Sequence, residues 1–157
     1  MRRILLSALL LIAAVPLRAQ GAAPTADRAA VERAVSDYVE GFYQGDTTRL
    51  QRSVTPDVYK LGYYRPRNGG GYQSERMPWA EFISYANQVR TSGRLAPATA
   101  PRVIQVFDVL DQTASAKLTA YWGTDYLLLA KIDGRWMITQ VLWQTPPPRR
   151  SAPGQED

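Results

Sequence analysis

The stretch from Asp125 to Trp143 constrains this chain most, because two strand-like runs flank Asp133-Gly134, the strongest short-range hairpin signal. A two-residue loop dictates partners. Ile132 would face Arg135, Lys131 would face Trp136, and an unbroken ladder would end with Asp125 opposite Leu142. On that register one face carries Asp125, Leu127, Leu129, Lys131, Trp136, Ile138, Gln140 and Leu142. The other carries Tyr126, Leu128, Ala130, Ile132, Met137, Thr139, Val141 and Trp143. Both faces are apolar, whereas a sheet with one wet side alternates, so this hairpin needs cover on both sides.

Cover for one side is written upstream. From Asp27, the residues Val31, Ala34, Val35, Tyr38 and Phe42 fall on one stripe of an amphipathic helix. Gly45 suits its end, and Asp46 suits the N-cap of a shorter helix running through Leu50 and Val54 until Pro56 stops it. Val58 to Tyr64 reads as extended. Arg65 to Ser74, with Pro66, Asn68 and Gly69-Gly70-Gly71, reads as a loop. No Lys-Ser/Thr pair follows the glycines, which favours a solvent loop over a phosphate cradle or lid. Pro78 opens a third helix whose stripe is Trp79, Phe82, Ile83, Ala86 and Val89, closed by Gly93. Strands over Arg102–Leu110, Ala114–Trp122, Asp125–Ile132 and Arg135–Trp143 complete the pattern. Residues 27–145 are therefore expected to form one α+β domain, with three N-terminal helices packed on one face of a curved antiparallel sheet. The bare outer face predicts a homodimer through that face.

Residues 1–19 stand apart. Arg2 and Arg3 precede an apolar run, Ile4 to Leu17, and Arg18-Ala19-Gln20 offers a cleavage neighbourhood, the layout of a signal peptide. The run is shorter than the roughly 20 residues a membrane-spanning helix needs, so the expectation is cleavage and export to periplasm or medium, with no stable membrane anchor left. Residues 20–26 read as a leader and 146–157, opening with three prolines, as a disordered tail. Cleavage would lower the basic count from 19 to 16 against 14 acids and the net charge from +5 to +2. With the remaining basic residues scattered, no nucleic-acid partner is expected.

Several segments resemble the nuclear-transport-factor-2-like (SnoaL-like) superfamily and, within it, the putative lumazine-binding group. They are Tyr38-Val-Glu-Gly-Phe-Tyr-Gln-Gly-Asp46 with Leu50, then Pro56-Asp57-Val-Tyr-Lys60, and above all Trp122, Asp125-Tyr126, Lys131, Gly134-Arg-Trp136, Ile138 and Leu142-Trp143. The resemblance spans about Val31 to Trp143. It implies a cone-shaped NTF2-like fold, a pocket between helices and sheet, and frequent dimerisation. Similar sequences commonly carry His before the Pro-Asp pair, where this chain has Thr55.

The chain has no His and no Cys, which removes Ser-His-Asp and Cys-His nucleophile systems and the usual transition-metal ligands. No metal and no cofactor are expected. Relatives that isomerise or dehydrate small molecules use a buried carboxylate as base, and the resemblance points to Asp125 for that role. The competing reading makes Asp125 a cap on the Gly123-Thr124 turn. Lys60 either holds an anionic or carbonyl group in the pocket or snorkels at a strand edge. Lys131 opposite Trp136 reads as a cation–aromatic contact. Tyr38, Phe42, Trp79, Phe82 and Trp122 are candidate walls for a planar ligand, or core filling. Gln140, an amide among apolar neighbours, is expected to bond to backbone or to a ligand. The preferred function is binding of a small apolar or planar molecule without established catalysis. The alternatives are an isomerase or dehydratase using Asp125, and a dimerisation module with a filled core.

Overall fold

The computed structural model describes residues 25–147; the expected signal peptide and nearly all of the expected tail lie outside them. Helix α1 spans Thr25–Gln44 and α2 Thr47–Ser53. Strands β1 (Val54–Tyr64) and β2 (Gln73–Arg76) follow, then α3 (Trp79–Ser92). The chain ends in the meander β3 (Val103–Val109), β4 (Thr113–Ala120), β5 (Gly123–Ile132) and β6 (Arg135–Gln144).

Caps fall where side-chain chemistry puts them. Asp46 accepts hydrogen bonds from the backbone N–H of Thr48 and Arg49 at 3.0 and 3.2 Å, satisfying donors that open α2. Gly93 ends α3 in the left-handed conformation. Several boundaries differ from expectation. The β4–β5 turn falls at Tyr121-Trp122, because Gly123 and Thr124 already belong to β5. Thr25 and Ala26 belong to α1 rather than to a leader. Val54 begins β1 instead of ending α2, consistent with the β-branched Val54-Thr55 pair and with Pro56, which disfavours helix in the residue before it.

The sheet has six strands in the order β2-β1-β6-β5-β4-β3. It is mixed rather than antiparallel, because β1 runs parallel to β6. A crossover through α3 and the meander separates those strands in sequence, so short-range turn signals carry no trace of the pairing. Strand β2 occupies part of the expected Arg65–Ser74 loop, pairing Gly62 with Glu75 and Leu61 with Arg76.

The Asp133-Gly134 turn forms as the sequence demands, with both residues at positive φ, 49° and 74°. Lys131 pairs with Trp136 and Leu129 with Ile138, as expected. Beyond that the ladder slips: Leu128 faces Gln140, leaving Thr139 as a bulge whose hydroxyl donates back to the Leu128 carbonyl at 3.2 Å. Asp125 therefore faces Trp143, not Leu142. The slip exchanges faces for the rest of β6, sending Val141 and Trp143 inward and Gln140 and Leu142 outward.

The inner face carries the core. Val31, Val35, Tyr38 and Phe42 of α1 pack in one cluster with Leu127, Leu129, Trp136 and Ile138 of the hairpin. The start of α1 is pinned by Asp27, which accepts from Lys131 Nζ at 2.8 Å and from Trp136 Nε1 at 2.9 Å. Outside, Tyr126, Leu128 and Leu142 are 52, 48 and 49 % exposed.

Candidate functional site

Three elements and the β4–β5 turn converge on one polar row inside the core. Tyr38, on the buried stripe of α1, is fully buried and donates its hydroxyl to Asp125 Oδ2 at 2.8 Å. Asp125 comes from β5, at the position opposite Trp143. Its Oδ1 accepts from Trp122 Nε1 at 2.8 Å. Lys60, from β1, donates Nζ to the Tyr38 oxygen at 2.9 Å. Lys60 points inward because the β1 pairing sets it beside Val141, an inner residue of β6.

The ammonium sits among aromatic faces. Nζ lies 4.7 Å from the Phe42 ring centre, 5.1 Å from Phe82, 5.3 Å from Tyr38, and 6.0 Å from both Trp122 and Trp143. Ring quadrupoles stabilise a cation at such distances. Among the described residues, no carboxylate forms a direct ion pair with it. Burial pulls Lys60 below the ordinary lysine range, while the Asp125 and Glu75 charges pull it back up. Burial pushes the Asp125 carboxyl up, opposed by the Lys60 charge and by the hydrogen bonds from Trp122 and Tyr38. Burial, with the Asp125 charge beside it, keeps the Tyr38 phenol protonated.

A concavity of about 410 Å³ opens beside this row. Phe42, Lys60, Trp122 and Trp143 form its inner wall, Met77, Tyr85 and Tyr121 its apolar sides, and Glu75 and Glu81 supply carboxylates. One close contact shapes it. Gly62, two residues beyond Lys60, lies against the Trp143 ring, and a Cβ there would fall 1.8 Å from Trp143 Cε2. Only glycine leaves the indole room to stand in the wall.

The residues singled out in the sequence separate into groups. Phe42, Lys60 and Trp122 line the concavity. Tyr38, Phe82 and Asp125 are buried outside its lining, and Trp79 packs against Phe82, ring centres 5.7 Å apart. Asp125 is bonded to side chains rather than simply capping a turn. Gln140 is not in the concavity at all: the Thr139 bulge places it outside, in an outer groove of about 430 Å³ with Tyr126, Leu128 and Leu142. Sequence reasoning missed Glu75, which lies just past the expected loop in a segment given no element, and Trp143, assigned to the outer face by the unbroken register. The one signal for the bulge was Gln140, whose amide an unbroken register would bury and the slip turns outward. Lys131 does stand over Trp136, Nζ 5.2 Å from the ring centre.

The fold, three helices on a six-stranded mixed sheet, is NTF2-like. A crystal structure of an NTF2-like protein of unknown function from Shewanella baltica OS155 superposes with a TM-score of 0.62 at 19% identity, covering 79% of this chain and 97% of that one. One from Silicibacter pomeroyi DSS-3 gives 0.60 at 18% identity, with 78% and 99% covered. One from Methylobacillus flagellatus KT gives 0.62 at 18%, with 79% and 95% covered. No curated protein matches the chain. Within the NTF2-like superfamily, the family model described as "Putative lumazine-binding" matches residues 26–144, and the chain belongs to that family.

Proposed function

We propose that this protein binds a small planar molecule in the concavity, with a carbonyl or other acceptor oxygen of the ligand turned toward Lys60. The observation that carries this reading is the Lys60 ammonium in the cavity wall, with one side-chain hydrogen-bond partner and several aromatic faces around it. A lysine has three donors, and a desolvated donor left without an acceptor is costly, so a ligand oxygen is the natural complement. The flanking Phe42, Trp122 and Trp143 rings suit a flat ligand, and the volume falls within the usual range for small-molecule sites. Lumazine, named in the family description, is of this kind: flat, with ring carbonyls for Lys60 and ring N–H groups for Glu75 or Glu81. The concavity favours binding over a filled-core interaction module.

Asp125 supports binding more than direct catalysis. It is buried, does not line the concavity, and has both oxygens engaged. A substrate there would meet Lys60 and Trp122, and Asp125 lies behind them, bonded to Tyr38 and to the Trp122 indole. In the same proposal, the N-terminal Arg-Arg and apolar run direct export, and the outer groove around Leu128 and Leu142 covers its apolar surface by pairing with a second copy.

Titration of the chain from Gln20 onward with lumazine, followed by tryptophan fluorescence, tests the reading, because Trp122 and Trp143 stand in the wall. Saturable quenching is expected, weakened about tenfold or more by Lys60→Met, the scale of one lost charge-assisted hydrogen bond. Quenching that Lys60→Met leaves unchanged would overturn it.

A further inference from the structure

We propose that Lys60 is a nucleophile that captures a small aldehyde or ketone in the concavity as a reversible imine. This rests on the binding reading above and adds covalent chemistry to the same site. Three features of the geometry carry it. The amine stands in the wall of a cavity large enough for an aromatic carbonyl compound. Its contact with acid is indirect: Lys60 Nζ to Tyr38 Oη at 2.9 Å, then Tyr38 Oη to Asp125 Oδ2 at 2.8 Å. Its surroundings are aromatic rings, and the residue is only 6 % exposed.

That row of two hydrogen bonds can make a free amine without exchanging a proton with solvent. An Nζ proton passes to the Tyr38 oxygen as the Tyr38 proton passes to Asp125 Oδ2, converting ammonium and carboxylate into amine and carboxylic acid. Burial of both ends lowers the cost of reaching the neutral pair, bringing the lysine down and the acid up against the attraction between the two charges. A desolvated lysine in an apolar site is a recognised way to activate this nucleophile.

The capture step balances without a further reagent. The Nζ lone pair forms a bond to the carbonyl carbon while the C=O π pair moves onto oxygen. One Nζ proton then moves to that oxygen, giving a carbinolamine. The hydroxyl then takes the second Nζ proton and leaves as water, and the nitrogen lone pair completes the C=N bond. Nothing is oxidised or reduced, and hydrolysis reverses each step.

The chain makes the test clean, since Lys60, Lys117 and Lys131 are its lysines. Lys131 is held by Asp27, and Lys117 is half-buried on β4 away from the cavity lining. The chain from Gln20 is incubated with 2-naphthaldehyde and sodium cyanoborohydride, then analysed by intact mass and peptide mapping. The expected result among the lysines is one reduced adduct, on Lys60, formed at least about tenfold faster than on Lys117 or Lys131, with any adduct on the N-terminal amine assigned separately by the peptide map. Tyr38→Phe, which keeps the ring and removes the relay, should slow labelling of Lys60 by a similar factor of about ten. Lys60→Met, checked for folding by circular dichroism, should lose the fast adduct. Fast labelling spread over all three lysines, or undiminished in Lys60→Met, overturns the proposal. The alcohol 2-naphthalenemethanol, which cannot form an imine, separates the two readings. If it quenches tryptophan fluorescence saturably while the aldehyde spares Lys60, the nucleophile proposal falls and the binding reading stands. If neither probe binds, both fall for aromatic ligands.

Discussion

Tyr38→Phe is the most informative single change, because it deletes one oxygen and leaves the packing alone. The ring contacts to Phe42, Phe82 and Trp122, with centres 5.1, 6.3 and 6.4 Å away, survive in phenylalanine. What disappears is the atom that accepts from Lys60 and donates to Asp125. Each is a hydrogen bond to an ionisable group, a class worth about 1.5–3 kcal/mol. The two share one oxygen, and Asp125 keeps Trp122 Nε1, so the losses do not simply add. A destabilisation of about 3 kcal/mol is expected, or a melting temperature lower by roughly 10 °C for a domain of this size. Urea denaturation monitored by circular dichroism measures it, with an unchanged denaturant slope as the sign that the unfolded state is not the cause. Adding Lys60→Met should cost far less in the Tyr38→Phe background than alone, since an uncompensated buried charge is then removed. A loss below about 0.5 kcal/mol, or strict additivity of the two changes, would refute the idea that Lys60, Tyr38 and Asp125 act as one buried unit.

Gly62→Ala should cost about 2–3 kcal/mol and abolish lumazine quenching, because its Cβ evicts the Trp143 indole; normal quenching would contradict the tight contact. The pH dependence of Lys60 has a definite sign. Its folded value is lowered by burial against 10.5, so the unfolded chain binds more protons between those values, and stability rises with pH across that window. Asp125 and Glu75 face the ammonium and narrow the window without reversing it. Wild type should therefore gain on Lys60→Met as pH climbs toward 10.5, read from urea midpoints; a constant or shrinking gap contradicts this. Leu128→Arg, on the outer face, should turn a dimer into a monomer by native mass spectrometry while leaving lumazine quenching intact; an unchanged stoichiometry would place any interface elsewhere.

The elements that were legible are those set by local chemistry. The stripe Val31, Val35, Tyr38, Phe42 needs only helical periodicity, the Asp46 cap only a side-chain oxygen next to free N–H groups, and the Asp133-Gly134 turn only two residues that accept positive φ. The membership of Phe42, Lys60 and Trp122 in one wall was also foreseeable, as aromatic and cationic residues on elements that must pack together. Glu75 was not, because β2 is a short, fully exposed strand with little to mark it, held in place by its neighbour β1.

From the amino-acid order alone come the helices, the four-strand meander, its sharp turn and a hairpin apolar on both faces. Which of those faces looks at the helices beyond Leu128 was not fixed by the turn, because a bulge costs local pairing while burying Val141 and Trp143 in place of Gln140 and Leu142, and only the packed sheet decides between them. Tertiary structure decided it. The parallel docking of β1 on β6 and the bulge at Thr139 turn Trp143 inward against Gly62 and Gln140 outward, and set Lys60 beside Tyr38 and one hydrogen bond short of Asp125. Such long-range placements come from packing a whole sheet against whole helices, and no short window of sequence contains them.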